Sequence, residues 1–205
     1  MNERANGILK SFLAGVAIAL GGYVYLSCEN KYVGAFLFSV GLLTVLYFGL
    51  NLYTGRIGYV FSQNRGQRLD TLISLPANVA GCVAAGLLKT PVGTVRSIVA
   101  AKLAKPLPCV FADGILCGIL IYICVDVFKK NKNPIAVLFC VPAFILCGFE
   151  HSIADAFYLA NARVFSAEAI VFLLVVAAGN AVGSLLFGTV FELSCGTFRK
   201  KAGIN

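Results

Sequence analysis

Polar and titratable chemistry is scarce in this chain: 205 residues hold one histidine, and charged residues make up only 13%. An enzyme built on a nucleophile and its base, or on a His-rich metal cluster, needs partners that a single histidine without an HExxH pattern does not supply. No enzymatic function is therefore expected. The eight cysteines contain no CxxC pair, and Cys82, Cys117, Cys124, Cys140 and Cys147 fall inside apolar runs. That excludes a zinc or redox motif and leaves them as small packing residues. No cofactor or metal is implied. Basic residues outnumber acidic ones 17 to 9, but they sit in short segments between apolar stretches, so nucleic acid is not an expected partner.

What the chain has in abundance is apolar sequence: hydrophobic residues reach 59%, and the mean hydropathy is +0.87. Runs such as Ile135 to Cys147 and Ala169 to Ala178 are apolar all round, without the polar face of a soluble helix. The chain thus reads as an all-α integral membrane protein, one transmembrane domain over 1–205, embedded in the lipid bilayer. Six spans are expected, roughly 10 to 27, 33 to 53, 71 to 88, 107 to 128, 134 to 160 and 167 to 195. Ala17 to Ser27 offers no cleavage site, so the first span is expected to be retained. An even number of spans puts both termini on one side. That side carries Arg4, Lys10, Arg56, Arg65, Arg68, Lys129, Lys130, Lys132, Arg199, Lys200 and Lys201, against Lys31, Lys89, Arg96, Lys102, Lys105 and Arg163 opposite. The positive-inside rule makes both termini cytoplasmic in a multi-pass protein of the cell (inner or plasma) membrane.

An internal repeat organises the spans. Asn78, Gly81 and Gly86 recur as Asn180, Gly183 and Gly188, and FLAG (Phe12 to Gly15) resembles FADG (Phe111 to Gly114). Two three-helix repeats follow, about 8–90 and about 106–197. Three is odd, so they lie in opposite orientations, the inverted-repeat plan of many transport proteins. The middle helix of each half is then expected to be broken. The second break is GFEHSIAD (Gly148 to Asp155), which holds the sole histidine; the first lies in GLNLYTGRIG (Gly49 to Gly58), with Thr54 and Gly55. Non-helical backbone survives at membrane depth only when buried in protein or lining a wet cavity. Two facing breaks imply a pore, with Thr54 and His151 opposed across it. An ionisable residue at this depth is a functional candidate. His151 also suits a purely structural task, tying down the broken backbone, and Thr54 that of a helix cap. Asn78 and Asn180 are expected to satisfy the broken loops from the sides, and Glu150 to hydrogen-bond loop backbone.

The residues resemble the formate/nitrite transporter family over nearly the whole chain. The likeness is carried by SFLAGVAIALGG, YTG, AKL followed by GILC, GFEHSIA and GNAVG, of which GFEHSIA is the specific one. It implies pentameric channels for small monovalent anions, with an aquaporin-like protomer and one pore each. It implies further that Thr54 and His151 form the central polar site and that Lys102 marks the outer vestibule. Phe144 is the aromatic of one constriction, with Leu42 and Phe38 as its first-half counterparts. Four positions depart from the family pattern: Asp113 for an arginine, Gly118 and Asp155 each for an asparagine, and Arg56 in the first break. The cytoplasmic N-terminal helix of longer members is not expected here.

The resemblance and the physics of apolar rings agree on a mechanism. A bare carboxylate in low dielectric costs tens of kcal/mol on the Born estimate. Protonating an acid of pKa about 4 at neutral pH costs only about 4 kcal/mol, so the neutral acid is the species expected to pass. Lys102 would gather the anion at the mouth, and His151 is the side chain whose unperturbed pKa suits proton transfer. Asp155, four residues on, is expected to pair with the imidazole. Substrates in this reading are formate, nitrite, hydrosulfide or a short carboxylate, with protons as the coupled species. The alternative is a passive pore for a neutral small solute.

Overall fold

In the computed structural model, which describes residues 3–195, every regular element is a helix. In chain order these are α1 (Glu3–Ser27), α2 (Lys31–Tyr47), α3 (Tyr53–Arg56) running into a 3₁₀ turn (Ile57–Ser62), α4 (Arg65–Leu87), α5 (Val95–Leu103), α6 (Leu107–Asn131), α7 (Ile135–Cys147), α8 (Ser152–Ala162) and α9 (Ala167–Ser194). Local chemistry starts and stops them. The Asn30 side chain accepts from the Tyr32 and Val33 amides ahead of α2, and Asn64 and Gln67 form a reciprocal capping box at α4. Pro106 and Pro134 stand immediately before α6 and α7. The basic tail residues Arg199, Lys200 and Lys201 lie outside the described residues.

Among the described residues four helices, α1, α4, α6 and α9, are long and apolar enough to cross a membrane, and α7 and α8 pass the same test together as a pair bent by 56° at its break. The span expected over 33 to 53 is different. Helix α2 stops at Tyr47 after 17 residues, so by length and composition it does not qualify alone; its continuation is the short α3 beyond the break. Helix α5, which carries Lys102, was not foreseen. Polarity is arranged for an apolar solvent: Leu20, Phe139 and Leu174 are 54%, 73% and 60% exposed, whereas Asn78, Glu150 and Asn180 are fully buried.

Helix α1 packs on α4 and α2, and α6 packs on α9 and α7, so each half repeats the other's contacts. Small residues set these approaches. A methyl group on Gly15 would collide with the Asn78 carbonyl, and one on Gly81 with that of Phe12. In the second half Gly118 meets the Asn180 carbonyl in the same way, and Gly183 that of Ile115. These matches correct the repeat register. Gly15 corresponds to Gly118 and Phe12 to Ile115, one helical turn beyond the FLAG and FADG alignment. The two tetrapeptides, alike in their Phe and Gly, misled because Gly114 also sits on the tight α6/α9 contact.

At either crossing, a side chain in place of glycine drives the helices apart. Gly183→Leu is expected to eliminate monodisperse protein on size-exclusion of detergent extracts, overpacking of one such site costing about 1–3 kcal/mol or more. The exposed Leu174→Ala, by contrast, should extract normally.

Candidate functional site

Both breaks are built the same way. Gly49 and Gly148 adopt φ of +61° and +72°, a region that glycine enters without strain, and each ends the helix before it. The Leu50 amide then donates to the Val45 carbonyl at 2.9 Å, and the Phe149 amide to that of Phe144 at 2.9 Å. Beyond each glycine the extended strand is held by an asparagine from the helix alongside. Asn78 donates to the Asn51 and Ser11 carbonyls at 2.9 and 2.7 Å and accepts from the Tyr53 amide at 2.8 Å. Asn180 donates to the Glu150 and Gly114 carbonyls at 2.8 and 2.9 Å and accepts from the Ser152 amide at 3.0 Å. One amide side chain thus satisfies a carbonyl and an amide freed by the break and ties them to a carbonyl of the packed helix.

The second half-helix begins at His151, whose Nδ1 accepts the Ala154 amide at 3.1 Å as an N-cap. Its Nε2 lies 2.9 Å from Thr54 Oγ1, and both residues are buried. Because an N–H donates to Nδ1, the other nitrogen is the one to carry the proton in a neutral ring, so Nε2–H points at the threonine. Capping therefore falls to His151. Thr54 sits inside α3, whose N-cap Leu52 makes no side-chain cap bond. Phe144 stacks on the imidazole at 5.6 Å and 22°, and Phe38 meets Phe144 edge-on at 6.1 Å.

Two cavities lie along the breaks, one reaching His151 and the other lined by the first break. The first, about 260 Å³, is lined by Lys102, Lys105, Phe144, Glu150, His151 and Asp155, among others. The second, about 340 Å³, is lined by Leu42, Val45, Leu52, Gly55, Arg56 and Lys129, among others. Their linings correspond at one constant spacing along the chain: Val45 with Phe144, Gly49 with Gly148, Asn51 with Glu150, Leu52 with His151, Gly55 with Ala154 and Arg56 with Asp155. The first-half counterpart of Phe144 is accordingly Val45, not Leu42 or Phe38. Those two reach the site because α2 packs across α7.

Charge in the first cavity departs most from expectation. Lys102 Nζ lies 2.8 Å from Asp155 Oδ1 and also bonds Glu150, while Lys105 Nζ bonds Glu150 Oε1 and Asp113 Oδ2, each at 2.7 Å, and the Gly148 carbonyl at 2.9 Å. The pairing expected between Asp155 and the imidazole is absent, since Nδ1 is occupied by the Ala154 amide and the carboxylate swings toward the lysine. Glu150 likewise spends its carboxylate on two lysines; only its carbonyl serves the loop bond to Asn180. Lys102 is no free cation. Lys105, Tyr158 and Leu52 were missed as lining residues. Tyr158 follows His151 by two helical turns on α8 and was findable by period; Leu52 and Lys105 become visible only when the repeat and α5 are placed in space.

Broken helices held by asparagines, a buried polar pair and two cavities along the breaks define a multi-pass membrane protein of channel architecture. A profile of the formate/nitrite transporter family matches residues 3–194, and the chain belongs to that family. Its fold is similar to that of a solved "FNT family ion channel", with 23% identity, a TM-score of 0.84, and coverage of 95% of this chain and 91% of that one. It is also similar to a "Pentameric formate channel with formate bound", with 19% identity, a TM-score of 0.77, and coverage of 94% and 97%. No curated protein sequence gives a significant match.

The asparagine clamps give a stability prediction. Asn180→Leu leaves the Glu150 carbonyl and the Ser152 amide of the break without partners. Each is expected to cost about 1–3 kcal/mol, read as a fall in the thermal midpoint of the purified protein in detergent.

Proposed function

We propose that this protein is a channel or transporter for small monovalent anions such as formate, nitrite, hydrosulfide or a short carboxylate, which cross its apolar constrictions as the neutral acid. The observation that carries the reading is the buried Thr54–His151 pair, whose histidine lines the first cavity under Phe144, itself met by Phe38, while Leu42 lines a second cavity along the first break. An apolar collar rejects a bare anion by its desolvation cost and passes a neutral acid. Between the collars the acid needs a polar partner. With Nε2–H donated to Thr54, the threonine hydroxyl hydrogen is left for the permeant oxygen, and the histidine ring holds or releases the proton midway. The family and the "Pentameric formate channel with formate bound" support an anion of this class and a homopentamer with one pore per protomer.

The same proposal includes the finer architecture: one transmembrane domain of six helices in two inverted three-helix repeats, helices two and five broken, and both termini cytoplasmic. The matched glycine breaks and asparagine clamps support it. On this topology the second cavity opens to the cytoplasm, and the first, with Lys102, to the outside. Lys102 and Glu150 form the outer vestibule, Asp155 anchors the lysine, Asn78 and Asn180 hold the pore-lining strands, and Gly55 keeps the inner cavity wall low beside Val125.

A second reading, a passive pore for a neutral solute, draws on the capping bond of His151 to Ala154, which gives the histidine a structural task. Proteoliposome uptake of formate, nitrite, hydrosulfide, lactate and acetate at two external pH values separates the two. The anion reading expects uptake of at least one of these that follows the proton gradient. It also expects an about tenfold loss in Thr54→Val and His151→Ala, equivalent to about 1.4 kcal/mol on the barrier. Gradient-independent flux that survives His151→Ala overturns it.

At the inner mouth Arg56, Lys129 and Lys132 line the second cavity together. Arg56→Gln is expected to slow anion entry from that side several-fold at low ionic strength, with the difference vanishing at high salt.

A further inference from the structure

Two cations and three carboxylates meet in the first cavity: Lys102 and Lys105 against Asp113, Glu150 and Asp155. Fully ionised, the cluster holds one negative charge more than its lysines neutralise. Glu150 is saturated, since both its oxygens face lysines. Asp113 is bound through Oδ2 to Lys105 and its side chain is 24% exposed. Asp155 is the member in which the surplus has no outlet. Its side chain is 1% exposed, Oδ1 is held by Lys102, and Oδ2 is buried with no hydrogen-bond partner among the described residues. A buried carboxylate oxygen without a donor is costly, and the same oxygen bearing a proton is not.

The repeat shows that the fold does not ask for an acid here. The matched position in the other half is Arg56, also lining its cavity. The two ends of one architecture therefore carry opposite charges at equivalent points, an acid at the first cavity and a cation at the second.

We propose that Asp155 holds a transferable proton on Oδ2 at the floor of the first cavity and hands it to the conjugate base of a weak acid arriving there. The inference rests on the anion-channel reading and names where that reading's proton is loaded. In the step, the Oδ2–H bond breaks and an O–H (or S–H) bond forms on the permeant. The electron pair stays on Asp155, which becomes a carboxylate held by Lys102. A hydronium ion from the cavity mouth restores the proton. The neutral acid then meets Phe144 and the Thr54–His151 pair already uncharged. The groups facing Asp155 are Lys102 from α5, Glu150 from the break, His151 and Tyr158 from α8 and Cys117 from α6, with Lys105 and Asp113 one contact further and Tyr25 of α1 beside Tyr158. A titrating Asp155 is tied through Lys102 to this whole set.

Formate uptake into proteoliposomes, followed against external pH, tests it. A permeant protonated in bulk water gains about tenfold in neutral form per pH unit below neutrality, until its own pKa. Loading by Asp155 makes the wild-type curve shallower, with a plateau where the site is fully protonated. Asp155→Asn, which cannot carry the proton, should restore the tenfold-per-unit slope and lose the plateau. Equal slopes in the two proteins overturn the proposal while leaving the channel reading intact; absence of formate, nitrite, hydrosulfide, lactate and acetate flux in the wild type overturns both. Should Asp155→Asn fail to assemble, Asp113→Asn removes the surplus charge at a more exposed position. It should then displace the plateau to more acid pH, and an unchanged plateau overturns the assignment.

Discussion

A backbone group released from a helix inside a bilayer must find a partner within the protein, and two breaks release several at once. In this structure that task falls on two side chains, Asn78 and Asn180, each of which binds one carbonyl and one amide of the break beside it and one carbonyl of a packed helix. Those asparagines can reach only because Gly15, Gly81, Gly118 and Gly183 let α1 approach α4 and α6 approach α9 to backbone contact. Glycine packing, asparagine clamps and broken helices are therefore one device, and the cavities exist where the breaks leave room.

Around the Thr54–His151 pair the polar content is kept to a minimum. Thr54 and His151 satisfy one another, the Ala154 amide occupies the remaining ring nitrogen, and Phe144 covers one ring face. Every residue of α8 from Ser152 to Ala162 is buried, so the half-helix that starts at the histidine is enclosed by protein on all sides. A charged permeant would find little here to replace its water, whereas a neutral one with a single acceptor or donor would find a matching group.

The two ends are not alike, and the difference lies in the charges they carry. Asp113 and Asp155 both enter the ion-pair cluster of the first cavity, and Arg56 lines the second. These positions were visible in the chain as isolated oddities. Their common meaning depends on α5 and the turn after it, which carry Lys102 and Lys105 to the second break. Spacing along the chain gives no hint that Lys102 lies against Asp155.

Much of the fold was legible because hydrophobic runs, interrupted by Gly49 and Gly148 at positive φ, encode spans and breaks locally. Amide and glycine repeats encode the helix pairs. The repeat register slipped by one turn at FLAG and FADG, since glycines recur at every turn of a close crossing and string similarity cannot tell which one touches. The candidate pair Thr54 and His151 could be named in advance because polar residues in an apolar run have few alternatives. Partner choice could not: Asp155 lies one turn from His151 on the same helix, yet the ring nitrogen was already taken by the backbone and a lysine from another helix was nearer. Composition and local pattern determined that the chain enters a membrane, where it breaks and which polar residues sit at the breaks, because those follow from the solvent and from single-residue conformational preference. Which carboxylate neutralises which lysine, and which aromatic covers the histidine, was decided only by tertiary packing, because those choices depend on distances between helices far apart in sequence.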